Sequence, residues 1–200
     1  DANSAQAVQT HTNAINTALT AFNAALQTGT MADNHSHEGV KWTAWGDDVE
    51  EQTTLPTTNG HYYLVDHINP TEHRISAGAE VYLCLNGYHV TCADNNIYSV
   101  VRKLHIYDCT DVPGTVSGGD STNGGTVYVG NTGTMTLHGG VLTASGTAQS
   151  GGVVYIAAGG TMEMHGGVIT GGNATNYGGN VSNFGTFKLV GGTIEKGSTS

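Results

Sequence analysis

Three consecutive segments in the C-terminal half repeat one another, and this repeat constrains the fold more than any other feature of the sequence. Pairs of glycines begin the segments at Gly124, Gly151 and Gly178, so the repeat has a period of 27. A second glycine pair follows in each segment, and its position shows that the third segment is two residues shorter. A repeat this short cannot bury an apolar face alone, so we predict that its copies stack into a solenoid.

The apolar residues of the three segments fall into four columns. These are Val127, Val154 and Val181; Met135, Met162 and Phe187; Leu137, Met164 and Leu189; and Leu142, Ile169 and Ile194. Apolar and polar positions alternate over short runs, as in half-buried strands, and the Gly, Asn and Ser residues between the runs suit tight corners. We predict a mainly β protein: a parallel β-helix with three short strands per coil, right-handed because strand crossovers usually have that chirality.

The rest of the chain divides into parts of different composition. Residues 2–32 have no charged side chain, and apolar residues recur there at helical spacing. These residues are Val8, Ile15, Leu19, Phe22 and Leu26. We predict an amphipathic α-helix over 1–30, an irregular cap region over 31–78 and the β-helix over 79–200. The helix would cover or link the solenoid; alternatively, its uncharged face would be an assembly surface that packs against other copies.

Charge and hydropathy bear on whether the chain would bind nucleic acid or span a membrane. The net charge is −10, and residues 121–200 carry only two acidic and two basic side chains. Nucleic-acid binding needs clustered Lys and Arg, so nucleic acid is not expected as a partner. No signal peptide and no apolar run of membrane-spanning length is recognisable in these 200 residues, so a membrane span is not expected. Because the chain begins at Asp1 and its last coil has no capping segment, we expect a processed product or a piece of a larger protein.

Two groups of candidate ligand-binding residues lie in the irregular region. On a strand, His35 and His37 would share a face and could bind Zn or Cu, although no partner ligand is identifiable by spacing. The alternative is a solvated loop, and no cofactor is expected. The aromatic residues Trp42, Trp45, Tyr62 and Tyr63 either plug the first coil or form a glycan-binding platform; the plug is favoured.

The solenoid surface offers further candidates. In one outward column Thr136, Glu163 and Lys188 would place a surface ion pair on adjacent coils. In the next column His138 and His165 would lie about 4.8 Å apart, as a neutral stack or as a proton-sensitive or metal-binding ladder. An active site, if the chain has one, would use the charged residues of the early coils. These are Asp94, Arg102, Lys103, Asp108, Asp111 and Asp120.

The chain has three cysteines, an odd number. Cys84 and Cys109 are about one coil apart, and a disulfide bond between them requires Cα atoms within about 4.4–6.8 Å. Buried thiols, including Cys92, are the preferred interpretation. Because no CxxC spacing occurs, redox or cysteine-zinc chemistry is not expected.

Several phrases of the sequence resemble known modules. WTAW, LPTTNGHYYL, LCLNGYHV, LHIYDC, GGTVYV and TLHGGVLT are similar to β-helix modules of large secreted surface proteins of Gram-positive gut bacteria, which resemble the pectin-lyase-like superfamily in fold. The resemblance covers about residues 35–195 and implies a secreted or cell-surface location. Near the N-terminus, the segment SAQAVQTHTNAINTALTAFNAALQTG faintly resembles the soluble half of a type IV pilin helix.

Two functions follow from these observations. The favoured one is a non-catalytic surface module that acts as a structural spacer, adhesin or filament subunit and binds glycans weakly. Its partners would be further copies of itself or neighbouring domains of a larger surface protein. The alternative is a carbohydrate-active enzyme, a polysaccharide lyase or hydrolase, although the repeats lack an evident set of catalytic carboxylates.

Overall fold

A computed structural model describes residues 15, 17, 36–37, 39–46, 54–70, 74–75, 79–93 and 95–199 of the chain. The chain divides into two compact units, 1–41 and 42–200. In the first unit β1 (Ser36–His37) pairs antiparallel with β2 (Val40–Lys41). Ile15 and Thr17 have helical backbone, and the rest of the predicted helix, with Val8, Leu19, Phe22 and Leu26, lies outside the described residues.

The described strands of the second unit form four parallel sheets. The seven-stranded sheet contains β3 (Thr43–Trp45), β4 (Gly60–Leu64), β6 (Glu80–Cys84), β9 (Lys103–Tyr107), β13 (Thr134–Leu137), β17 (Thr161–Met164) and β21 (Thr186–Leu189). The β5 sheet contains β5 (Arg74–Ile75), β8 (Tyr98–Val100), β12 (Val127–Val129), β16 (Val154–Ile156) and β20 (Val181–Asn183). The β7 sheet contains β7 (His89–Thr91), β10 (Thr115–Gly118), β14 (Val141–Ala144), β18 (Val168–Ile169) and β22 (Thr193–Ile194). The four-stranded sheet contains β11 (Ser121–Asn123), β15 (Ala148–Ser150), β19 (Asn173–Tyr177) and β23 (Ser198–Thr199).

These sheets make a parallel β-solenoid of about 5 turns, and its register confirms the four predicted columns. Val127 pairs with Val154, which pairs with Val181, so one coil there equals one period of the sequence repeat. The two-residue shortening of the last segment falls between β20 and β21, where the turn is shorter than the equivalent turn between β16 and β17.

The prediction of three strands per coil was wrong for the regular coils, which contain four. The missed strands are those of the four-stranded sheet, β11, β15, β19 and β23. The buried apolar side chains of these strands are only the methyl groups of Ala148 and Ala174. A strand with such small inward residues lacks the alternation of large apolar and polar side chains on which the prediction depended.

The core lies inside the solenoid and consists of the inward residues of its sheets. Along β9 and β13, Leu104, Ile106, Met135 and Leu137 are fully buried. Each such side chain contributes about 1.5–3 kcal/mol when it leaves water. Because inward and outward residues alternate, the same strands fix which side chains remain available on the outer surface.

The leading glycine pairs allow successive coils to approach closely at a corner. The first glycine of each pair has positive φ, 67° at Gly151. The second lies directly over the next coil: a Cβ on Gly152 would be 2.0 Å from the carbonyl oxygen of Gly179. Backbone hydrogen bonds continue through this corner, since the Gly152 N–H donates to the Gly178 carbonyl at 3.1 Å. The repeated Gly-Gly pair is therefore a steric requirement of coil stacking.

We expect Gly152→Ala to lower the free energy of unfolding by at least about 3 kcal/mol, because the added methyl group would overlap the backbone of the next coil. Gly130→Ala is the matched control: its Cβ would lie 3.2 Å from the nearest atom, so its cost should stay within about 1 kcal/mol. Urea unfolding followed by circular dichroism measures both. Equal costs for the two variants would contradict this explanation of the glycine pair.

A buried polar side chain replaces an apolar one at the corner of the last coil. Asn180 occupies the position of Val153 in the preceding coil. Its Oδ1 accepts a hydrogen bond from the Gly172 N–H at 2.7 Å, and its Nδ2 donates to the Glu195 carbonyl at 2.7 Å. The amide thus satisfies two backbone groups that would otherwise lack these partners.

Asn180→Val, which copies the residue of the preceding coil, should lower the free energy of unfolding by about 1–3 kcal/mol, because the Gly172 N–H is buried and loses its acceptor. Thr186→Val, at an exposed strand position nearby, should change it by less than about 0.5 kcal/mol. Chemical denaturation of the two variants in parallel provides the measurement. A neutral Asn180→Val would show that the amide is not needed at this corner.

Candidate functional site

A row of aromatic and imidazole rings covers the outer face of the seven-stranded sheet. We name this row the ring ladder: Trp42, His61, Tyr82, His105, Tyr107, His138 and His165. The register produces it, because His61 pairs with Tyr82 and Tyr82 pairs with His105 on adjacent strands. Their neighbours Val81 and Leu104 point inward into the core.

The rings of the ladder stack face to face along the solenoid, except that Trp42 meets His61 and Tyr107 edge to face. Ring centroids are 4.1 Å apart for His61 and Tyr82 and 4.3 Å apart for Tyr82 and His105, with interplanar angles of 12° and 4°. Tyr107 and His138 stack at 4.1 Å in the neighbouring column. Ring faces that pack on each other cannot also stack on a sugar, so the ladder turns ring edges outward.

Glu80 holds the polar groups beside the ladder together. Its Oε1 accepts a hydrogen bond from the Tyr82 hydroxyl at 2.9 Å and one from Lys103 Nζ at 3.2 Å. The bond from Tyr82 and the nearby Lys103 ammonium lower the pKa of Glu80 below its usual value. Burial and the Glu80 carboxylate together raise the pKa of Tyr82 to about 12. The phenol therefore remains a hydrogen-bond donor at neutral pH.

His105 is the most constrained imidazole of the ladder. Its Nε2 lies 3.5 Å from Glu80 Oε1, outside the usual range of hydrogen-bond distances, and neither ring nitrogen has a hydrogen-bond partner in the described part of the chain. Burial lowers the pKa of His105 despite the nearby carboxylate. The folded protein therefore favours the neutral imidazole.

This burial predicts a loss of stability in mild acid. The unfolded chain protonates His105 near the ordinary histidine pKa of about 6.5, whereas the folded chain resists protonation until lower pH. The Tm should fall between about pH 7.5 and about pH 5.5, and His105→Phe, which keeps a ring in the stack, should reduce that fall. His67→Phe, at an exposed position of the solenoid, is the control and should retain it. An unchanged pH dependence in His105→Phe would refute this role.

A second polar cluster lies further along the same face. Glu163 Oε2 is 3.0 Å from His165 Nε2 and 3.4 Å from Lys188 Nζ. Hydrogen bonds from His165 and Lys188 lower the pKa of Glu163. The predicted ion pair between Glu163 and Lys188 is thus confirmed. The predicted stack of His138 and His165 is confirmed as well, with ring centroids 5.4 Å apart.

The four residues predicted to bind glycans lie on both faces of the sheet. Trp42 and Tyr63 are buried together with Cys84 in a small cluster on the outer face. Trp45 and Tyr62 pack against the main core, where the Trp45 Nε1 donates to the Thr54 carbonyl at 2.9 Å. The four side chains therefore do not form one exposed platform, and glycan binding by them stays a prediction.

The other predicted sites are only partly described. His37 lies in β1, but His35 and Asp94 are outside the described residues. Asp108 and Asp120 cap backbone groups, since Asp108 accepts from the N–H groups of Thr110 and Gly114 and Asp120 accepts from that of Thr147. Within the described ranges, no three His, Cys, Asp or Glu residues are arranged to hold a metal ion. The helical residues that the structure describes include no segment long and apolar enough to cross a membrane.

The interpretation that the cysteines are buried thiols is wrong for Cys109. Cys84 and Cys92 are buried, but Cys109 is exposed because it lies at the corner that follows β9. The sulfur atoms of Cys84 and Cys109 are 3.4 Å apart. The two residues thus meet across adjacent coils.

Sequence reasoning missed His61, Tyr82, His105 and Tyr107 as members of one ladder. A signal was present, because EVYLC and KLHIYDC place Tyr82 and His105 between apolar residues, and GHYYL places His61 beside two tyrosines. The coils that carry these phrases differ in length, so the sequence does not show which rings stack.

Comparison with known proteins identified no relative of this chain. No protein family matches the chain, and neither does any curated protein or solved structure. The fold and the surface thus define a parallel β-solenoid protein with a ladder of stacked rings.

Proposed function

We propose that this chain is a non-catalytic extracellular module, a right-handed β-helix of the pectin-lyase-like kind that serves as a rigid spacer in a secreted or cell-surface protein. Further copies or neighbouring domains of a larger surface protein would be its partners. One observation supports this proposal: the imidazole, phenol and charged side chains of the outer face contact one another between adjacent coils, as ring stacks and ion pairs.

The ring ladder provides most of this support. His61, Tyr82 and His105 present their faces to each other at about the spacing of adjacent strands. Such contacts contribute about 0.5–1.5 kcal/mol per aromatic pair beyond burial, and they recur between successive coils as far as His165. They add to the backbone hydrogen bonds and to the ion pairs Glu80–Lys103 and Glu163–Lys188, which also join adjacent coils on this face.

The alternative function is a polysaccharide lyase or hydrolase, and the spacing of the carboxylates disfavours the hydrolase. Glu80 and Glu163 are the carboxylates on the outer face of the described part of the seven-stranded sheet, and three strand intervals separate them. At about 4.8 Å per interval their strands are roughly 14 Å apart, and Glu163 also lies two residues beyond the register position of Glu80, whereas the carboxyl groups of a hydrolytic pair lie about 5–9.5 Å apart.

Weak glycan binding forms a second part of the proposed function. A shallow hollow of about 470 Å³ lies beside the ladder and is lined by Asn59, Gly60, His61, Glu80 and Tyr82. Its amide, carboxylate and ring-edge groups can exchange hydrogen bonds with sugar hydroxyls, although its stacked rings cannot offer a face. Binding through such groups alone, without aromatic stacking, is expected to be weak.

Amide hydrogen exchange and a polysaccharide panel together test this function. A rigid spacer should protect the amides from β6 to β21 as one continuous block. The same protein should release neither reducing ends nor unsaturated ends from the polysaccharides. Glycan retention, where it is seen, should fall in Glu80→Gln and persist in Glu163→Gln, which lies outside the hollow.

Two results would overturn the proposal. Cleavage of a polysaccharide that disappears in Glu80→Gln or Glu163→Gln would make the chain an enzyme. Exchange that occurs independently in separate coils would remove the basis for a rigid spacer. Glycan retention equal in both variants would eliminate only the hollow as the binding surface.

A further inference from the structure

The thiols of Cys84 and Cys109 lie close together at the corner that follows β9. Cys84 is the last residue of β6 and pairs with Tyr107, the last residue of β9. Cys109 follows two residues later, at the corner, with its Sγ 3.4 Å from Cys84 Sγ and 3.7 Å from Asn86 Oδ1. A disulfide bond requires an S–S distance of about 2.05 Å, so an approach of about 1.4 Å would join the two residues.

We propose that Cys84 and Cys109 form a disulfide bond that ties two successive coils of the solenoid, while Cys92 remains a thiol. The bond would span 25 residues of sequence and lie at the corner that later coils build with Gly139 and Gly140. Of the three cysteines, Cys92 is then the one outside the bond, because it follows β7, which belongs to another sheet. The bond is independent of the proposed function.

The exposure of the two sulfur atoms suggests an order of reaction. Cys109 is exposed and meets the oxidant first, whereas Cys84 is fully buried and burial raises the pKa of its thiol. With a small-molecule disulfide such as oxidised glutathione, the Cys109 thiolate attacks one sulfur and expels a glutathione thiolate. Cys84, after losing its proton to solvent, attacks Cys109 Sγ in the mixed disulfide and expels the second. Two protein thiols are oxidised and one glutathione disulfide is reduced to two thiols.

Burial of one partner also predicts how the bond behaves once formed. Cys84 lies with Trp42 and Tyr63 in the outer apolar cluster, so one sulfur of the bond is shielded from reducing thiols. The other sulfur is exposed at the corner. The mixed disulfide at Cys109 should therefore form quickly and the attack by the buried Cys84 should be the slower step, and the finished bond should resist reduction better than a disulfide with two exposed sulfur atoms.

The full chain is the material for the test. It is incubated with oxidised glutathione, its remaining thiols are alkylated, and it is digested without reduction for mass spectrometry. We expect one cross-linked peptide pair that contains Cys84 and Cys109, lighter by two hydrogen atoms than the reduced peptides, with the alkyl label on Cys92. The oxidised protein should unfold roughly 5–10 °C above the reduced protein.

Serine variants supply the controls. Cys109→Ser changes an exposed residue and should fold, but it should lose the oxidant-induced rise in Tm. Cys92→Ser should retain that rise. A glutathione adduct that persists on Cys109, a cross-link that includes Cys92, or alkylation of all three cysteines after oxidation would each overturn the proposal, even if Cys84→Ser fails to fold.

Discussion

Backbone hydrogen bonding between successive coils continues around the corners of this solenoid, and the other contacts depend on it. At the corner of the regular coils, the Gly125 N–H donates to the Gly151 carbonyl and the Gly152 N–H to the Gly178 carbonyl, each at 3.1 Å. A Cβ at either donor would lie about 2 Å from the next coil. Because the corner is this tight, each residue lies directly over its equivalent in the next coil at one strand spacing.

This superposition selects which side chains a column can hold. Equivalent rings such as Tyr107 and His138 gain from stacking, whereas equivalent charges would repel at close range. The outward column of Thr136, Glu163 and Lys188 alternates neutral, acidic and basic groups, and Glu163 and Lys188 form an ion pair. The low charge of residues 121–200 follows from the same constraint, because one charged residue repeated in every copy would build a row of like charges.

The sequence predicted the register of the regular coils well and that of the irregular coils poorly. The columns through Val127, Met135 and Leu142 were predictable because the constant period of the repeat displays the register directly. The ring ladder was not: Leu83 pairs with Ile106 and Ile106 with Leu137, so the second of these coils is longer than the first. The fourth strand of each regular coil was missed because its buried apolar residues are small.

The irregular coils are also where individual side chains take over the role of the glycine pairs. At the corner equivalent to Gly139 and Gly140, Asp108 accepts hydrogen bonds from backbone N–H groups. One coil earlier, Asn86 adopts a φ of 52° and donates to the Leu64 carbonyl. A corner built by side chains permits variable coil length, and it brings polar and sulfur groups together at positions that a Gly-Gly corner leaves empty. The close pair of cysteine sulfur atoms and the Glu80 cluster therefore lie in the coils that break the repeat.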